Sequence, residues 1–152
     1  MAARVFPKAK SEFLKGNLDL TADDIRVLLV ASNSAYDPGN TSEDPATLSA
    51  MNGGAGIAGV EFDGSGYSRK ALASETVTED GTNEKATFDA TDVTWTSLAA
   101  GTYAIEGALV YKQVTADSDH IPLAWCPYSA DQTPNGSDFT TTWPSGGILT
   151  LS

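Results

Sequence analysis

Residues 85–97, KATFDATDVTWTS, and 102–112, TYAIEGALVYK, decide the fold, with Gly101 between them. In the second stretch Tyr103, Ile105, Leu109 and Tyr111 fall on one side of an extended chain. Ala104, Glu106, Ala108 and Lys112 fall on the other. A period of two is the mark of a strand with one buried and one wetter face.

Working outward, 25–31 (IRVLLVA) is apolar on both sides, with Ile25, Val27 and Leu29 opposed to Leu28 and Val30. That pattern predicts a central strand covered on both faces. Further short strands are expected at 61–62, 67–72, 75–78, 86–88, 93–96, 103–112, 123–126, 139–143 and 148–151. Asp63-Gly64, Asp80-Gly81, Pro134-Asn135-Gly136 and Ser145-Gly146-Gly147 supply the turns between them. Strands at intervals of roughly 8–12 residues argue for an all-β fold, a single β-sandwich of the jelly-roll or immunoglobulin-like kind. Residues 17–152 form that domain.

Two segments differ in texture. Residues 6–15 predict a short helix, with Pro7 at its first position, Phe6, Phe13 and Leu14 as an apolar side, and Gly16 closing it. Residues 33–59 form a polar, glycine-rich loop excursion. One helical turn is expected inside it, capped by Asp44 and closed at Asn52-Gly53. A stable core requires neither segment, which marks both for contacts.

Charge is uneven. The 152 residues carry 9 basic and 20 acidic side chains, a net −11. Arg4, Lys8, Lys10 and Lys15 lie in the first fifteen positions beside one acid, Glu12. The rest of the chain keeps five bases and nineteen acids, a net −14. Such a body repels phosphate backbones, so nucleic acid is not an expected partner, whereas the basic arm suits an acidic protein surface. No run of about 18 apolar residues is present, so no membrane helix is expected. The first residues lack the apolar stretch of a secretory signal, so export is expected only by lysis or within an assembly. The single cysteine, Cys126, leaves no internal disulfide to form.

The chemical motifs are thin. Gly54-Ala-Gly56-Ile-Ala-Gly59 spells a dinucleotide fingerprint, but it follows a polar loop and precedes no helix-forming run. His120 and Cys126 are six apart; a nucleophile pair would need them on one face, and Pro122 interrupts the strand that would place them there. Cys126 reads more simply as a small buried hydrophobe and His120 as an exposed loop residue. Asp117, Asp119 and His120 resemble only the start of a calcium loop, and a solvated hairpin turn is the better reading. Tyr36, Tyr67, Tyr111, Tyr128, Trp95, Trp125 and Trp143 would serve a sugar platform if exposed, but strand aromatics are usually core. No catalytic, cofactor or metal residues are assigned, and the chain reads as no enzyme.

The order of phrases carries a resemblance. A short helix leads into DLTADDIRVLLVAS (19–32); then follow GSGYSRKAL (64–72), ATFDATDVTWTS (86–97), ALVYK (108–112), PLAW (122–125) and TTWPSGGILTLS (141–152). GSGY, FDATDVTW and GGILTL carry most of it. The chain resembles small virion structural proteins of tailed bacteriophages, of the head-decoration (cement), head-fibre or minor tail type. The resemblance implies a capsid decoration protein on the outer head, made in the bacterial cytoplasm. Its partners would be the major capsid protein or other virion proteins. A homo-oligomer is expected, a trimer by analogy with decoration proteins. The alternative it implies is a tail- or fibre-associated module recognising a host glycan. The expected contacts lie in residues 1–16 and 33–59, at Arg4, Phe6, Lys8, Lys10, Phe13, Lys15, Tyr36 and Met51.

Overall fold

The computed structural model describes residues 4–33 and 36–152; positions 1–3 of the basic arm and 34–35 of the loop lie outside the described residues. In chain order the elements are β1 (Arg4–Val5), α1 (Pro7–Leu14), β2 (Ile25–Ala31), β3 (Lys70–Ala71), β4 (Thr76–Asp80), β5 (Lys85–Asp89), β6 (Val93–Trp95), β7 (Ile105–Lys112), β8 (Ile121–Gln132), β9 (Phe139–Thr141) and β10 (Leu149–Leu151). The fold is all-β with one short α-helix. Its strands form a five-stranded sheet ordered β1-β8-β7-β2-β3, a three-stranded sheet β10-β5-β4 and a pair β6-β9. Every pairing is antiparallel.

The doubly apolar run at 25–31 is β2, fourth in the large sheet between β7 and the two-residue edge strand β3, with both faces dry. Val27 and Leu29 join Ala108, Val110, Ala124 and Cys126 in one core, together with Phe88, Trp95 and Leu149 from the smaller sheets. Leu28 and Val30 join Leu109, Tyr111 and Trp125 in a second core on the opposite face.

Among the described residues no sheet covers that second face. Its cover is the polar loop: Tyr36, Leu48, Met51, Ile57 and Val60 are all buried against it. The loop contains three 3-10 turns, Leu48–Ala50, Asn52–Gly54 and Ile57–Gly59, so helical structure begins at Leu48 rather than after Asp44. It is sewn down at both ends. Leu48 and Ser49 N–H donate to the carbonyls of His120 and Asp117, and Ala31 N–H donates to Val60 O. The expectation that a stable core does not need 33–59 is therefore corrected, because Tyr36, Leu48, Met51 and Ile57 are four of the eleven buried side chains of the second core.

The two-sided strand reading of 103–112 also changes. Ile105 faces the first core with Ala108 and Val110, while Leu109 and Tyr111 face the second. The cause is a bulge: both ladders of β7 step from Ile105 to Gly107 and leave Glu106 without a cross-strand partner. One extra residue reverses the alternation. Gly107 beside it is obligatory, since a Cβ there would sit 2.5 Å from the Trp125 ring.

The N-terminal helix has the expected ends. Pro7 opens it, Gly16 takes φ +71°, and Gly16 and Asn17 N–H bond back to Phe13 O and Glu12 O. That pair of bonds is a Schellman closure. Of the expected apolar side, Phe13 alone packs from the helix onto the first core, and it is only partly buried. Ala9 and Glu12 point in, Phe6 precedes the helix and enters the second core, and Leu14 is 91% exposed. With β1 paired to β8 and Phe6 buried, residues 4–16 are built into the domain.

Candidate functional site: the lysine-bearing helix and the groove beside it

The eight side chains expected to make outside contacts divide into two groups. Phe6, Tyr36 and Met51 are buried in the second core and present nothing to a partner. Arg4 is engaged internally as well. Its guanidinium donates to the carbonyls of Pro38 (2.7 Å), Asn40 (2.8 Å) and Glu43, and lies 4.7 Å from the centre of the Phe6 ring. Arg4 is a strap holding the loop cover to the edge strand, because three peptide oxygens that turn toward one cation need no other donor.

Lys8, Lys10, Phe13 and Lys15 are brought together on α1. Glu12 organises them. It is buried, and its carboxylate accepts from Lys8 Nζ (2.7 Å), Asn17 Nδ2 (2.9 Å) and Lys15 Nζ (3.3 Å). These donors, Lys8 first, pull its pKa down to about 2. Lys8 and Lys15 thus fold back on Glu12, although Lys15 is still 57% exposed. Lys10 makes no ion pair among the described residues and stands in solvent.

Beside this helix the surface is open and apolar. A groove of about 410 Å³ runs between α1 and the C-terminal strand, lined by Val5, Lys10, Phe13, Leu14 and Leu151. A second hollow of about 440 Å³ lies across Phe13, against Leu18, Leu20, Val77 and Leu149. Leu14 in the first and Val77 in the second, 91% and 50% exposed, are the most accessible apolar side chains of the two. Phe13 and Leu151 line both hollows, so the two lie side by side. Leu14 was legible in the sequence only as part of a buried stripe; Val77 and Leu151 gave no signal of a shared surface.

The other motifs resolve differently. Asp117 is no solvated turn residue. Arg69 forks between two carboxylates, to Glu61 at 2.8 and 2.7 Å and to Asp117 at 2.5 and 3.0 Å. Arg69 holds the Asp117 carboxyl below its ordinary pKa. His120 is buried rather than exposed: it stacks on Tyr111 at 5.2 Å, and its Nδ1 accepts from Val114 N–H at 3.0 Å. Burial lowers its pKa, and the accepted bond places its proton on Nε2. Arg69 thus clamps Glu61, just past the loop cover, to the 114–120 turn, on which the loop itself is held by its Leu48 and Ser49 N–H groups.

Cys126 lies in the first core, while His120 stacks on a ring of the second. A bulge at Leu123 breaks the even spacing that would have put them on one face. Burial also pushes the thiol up to about 12, away from thiolate chemistry. The glycines at 54, 56 and 59 span 3-10 turns with no strand before them and no α-helix after them. The aromatics are structural. Trp95 Nε1 donates to Ser68 O (2.7 Å) and Trp143 Nε1 to Thr91 O (3.0 Å), while Tyr36, Tyr111 and Trp125 are buried. Among the described residues no three acidic, histidine or cysteine side chains are placed to share a metal ion, and no helix is long and apolar enough to cross a membrane.

No protein-family model, curated protein or solved structure matches the chain.

Proposed function

We propose that this chain is a non-enzymatic structural protein of a tailed-phage virion, a decoration protein that docks on the outer head through α1 and the groove beside it. The observation that carries this reading is the exposure of Leu14, set beside unpaired Lys10 at the mouth of an apolar groove, on a body that is otherwise strongly acidic. Burying one leucine side chain is worth about 1.5–3 kcal/mol, enough for roughly tenfold to a hundredfold in affinity. The lysines select an acidic surface for the groove to meet. The sheet-on-sheet first core supports a β-sandwich of the jelly-roll or immunoglobulin-like kind. The outer edge of β4, unpaired and exposed along most of its length, supports a homo-oligomer, with a trimer taken from the resemblance.

Stabilisation of the head follows from mass action. A protein that binds the assembled shell better than its separated subunits shifts the balance toward the shell, and many copies multiply the effect. The test is co-sedimentation of purified protein with heads lacking it. Leu14→Asp and Lys10→Glu should each weaken binding at least tenfold while leaving the melting temperature unchanged, and raised salt should weaken the native protein. Undiminished binding by both variants would overturn the reading, as would antibody label confined to the tail in electron micrographs.

A further inference from the structure

Glu106 is the residue that the β7 bulge expels. Val30 pairs with Gly107 and Ala31 with Ile105 on one side; Gly107 pairs with Pro127 and Ile105 with Gln132 on the other. Glu106 has no cross-strand partner in either ladder, and β8 passes residues 128–131 opposite it. Bulges of this kind re-aim a side chain. Here the side chain is half-buried, and its Oε1 is enclosed without accepting any hydrogen bond.

Three side chains from two elements interact with that carboxyl. The loop cover contributes Asp37, whose Oδ1 accepts from Gly39 N–H at 2.7 Å, and the phenol of buried Tyr36, itself unpartnered. The overhanging end of β8 contributes Asp131, which accepts from the Ser32 hydroxyl. The charged groups that act on Glu106 are Asp37 and Asp131, both negative. Burial first, then Glu43, Asp37 and Glu106, raise the pKa of the Tyr36 phenol, and Arg4 opposes them. A desolvated carboxyl facing two carboxylates is stable only while it keeps its proton. Burial first, then Asp37 and Asp131, raise its pKa to about 7.

We propose that Glu106 is a proton-operated latch. Protonated, it lets the 36–43 end of the loop cover and the 128–132 end of β8 sit together on β7; losing the proton to solvent sets three carboxylates against one another and loosens both segments. The direction follows from linkage. The open state titrates at the ordinary 4.5 and the closed state near 7, so closure is fully favoured below 4.5 and is lost as pH rises through 7. Between pH 6 and 8 the opening equilibrium should rise about tenfold.

Hydrogen exchange of the full chain at pH 6 and pH 8 tests this, with exchange times scaled for the intrinsic base-catalysed rate. Peptides covering 36–43 and 126–132 should lose about tenfold in scaled protection at pH 8, whereas those covering 105–112 should not. Glu106→Gln, the shape of the protonated acid, should stay protected at both values. Equal scaled protection in the native protein, or a pH dependence that survives Glu106→Gln, would overturn the latch. Carbon-detected NMR of the Glu106 carboxyl gives an independent reading: a midpoint near 7 supports it, and one near the ordinary 4.5 would refute it.

Discussion

The two faces of the large sheet are equally dry but differently made. On one face Val27, Leu29 and Val110 meet Phe88, Trp95 and Leu149, strand against strand. On the other, Leu28, Val30 and Leu109 meet Leu48, Met51, Ile57 and Val60, which lie in 3-10 turns or at their ends. A sheet needs apolar volume over its face, and nothing obliges that volume to be periodic. The difference lies in what holds each cover in place. The strand layer is held by ladders; the loop is held by Arg4, by the Arg69 clamp and by a few bonds to β2 and the 114–120 turn.

The largest way to break this comparison is to remove an anchor on each face. Met51→Ala and Leu29→Ala should both cost about 2–5 kcal/mol in denaturant unfolding, because both side chains are fully buried in packed surroundings. A loss below about 1 kcal/mol at Met51 alone would mean that the loop collapses into the gap and covers the sheet loosely. Phe6→Ala, about 3–5 kcal/mol, joins this class, so deleting residues 1–16 should unfold the body instead of merely freeing it from a particle.

A smaller effect separates the fastening from the packing. Arg4→Ala removes the donor shared by the carbonyls of residues 38, 40 and 43. Hydrogen bonds to a charged group contribute about 1.5–3 kcal/mol, and partial exposure places this strap at the lower end. Hydrogen exchange should show the loss concentrated in 36–43, with 105–112 unchanged. Uniform loss across both covers would mean that Arg4 supports the whole fold.

These features were unequally legible. Pro7 and Gly16 marked the helix because both act through local backbone geometry, and the 25–31 strand stood out because its apolar residues are contiguous. The reversal at Glu106 and the bulge at Leu123 were hidden, since period-two reading assumes an unbroken pleat. The loop cover was hidden for a deeper reason: Tyr36, Leu48, Met51, Ile57 and Val60 are isolated among polar residues and glycines, in neither the alternation of a strand nor the stripe of an α-helix, and only tertiary structure gathers them. At the helix, Lys10, Phe13 and Lys15 were found from charge and apolar character. The exposure of Leu14 was not, because a glutamate occupies the inward position that pattern reading assigns to an apolar residue. Three donors around Glu12 make that placement stable.

Glu12 also gives the smallest and most sharply located effect, at the seam where α1 joins β8. Its carboxyl titrates near 2 in the folded chain and near 4.5 when released. A depressed acid contributes stability that is complete above 4.5 and is lost as pH falls toward 2. Glu106 has the opposite sign and acts between 4.5 and about 7, so the two glutamates do not overlap. Asp24 and Asp117 are also depressed, by Arg26 and Arg69, and the native protein will lose stability in acid for several reasons at once. The informative quantity is therefore the gap between native protein and Glu12→Gln, followed by unfolding from pH 6 to pH 2. That gap should be open at pH 6 and close toward pH 2, because protonation removes from the native protein the same charge that the substitution removes. A gap of constant width would mean that glutamine fails through shape alone, and that Lys8, Asn17 and Lys15 do not hold the helix through the charge of Glu12.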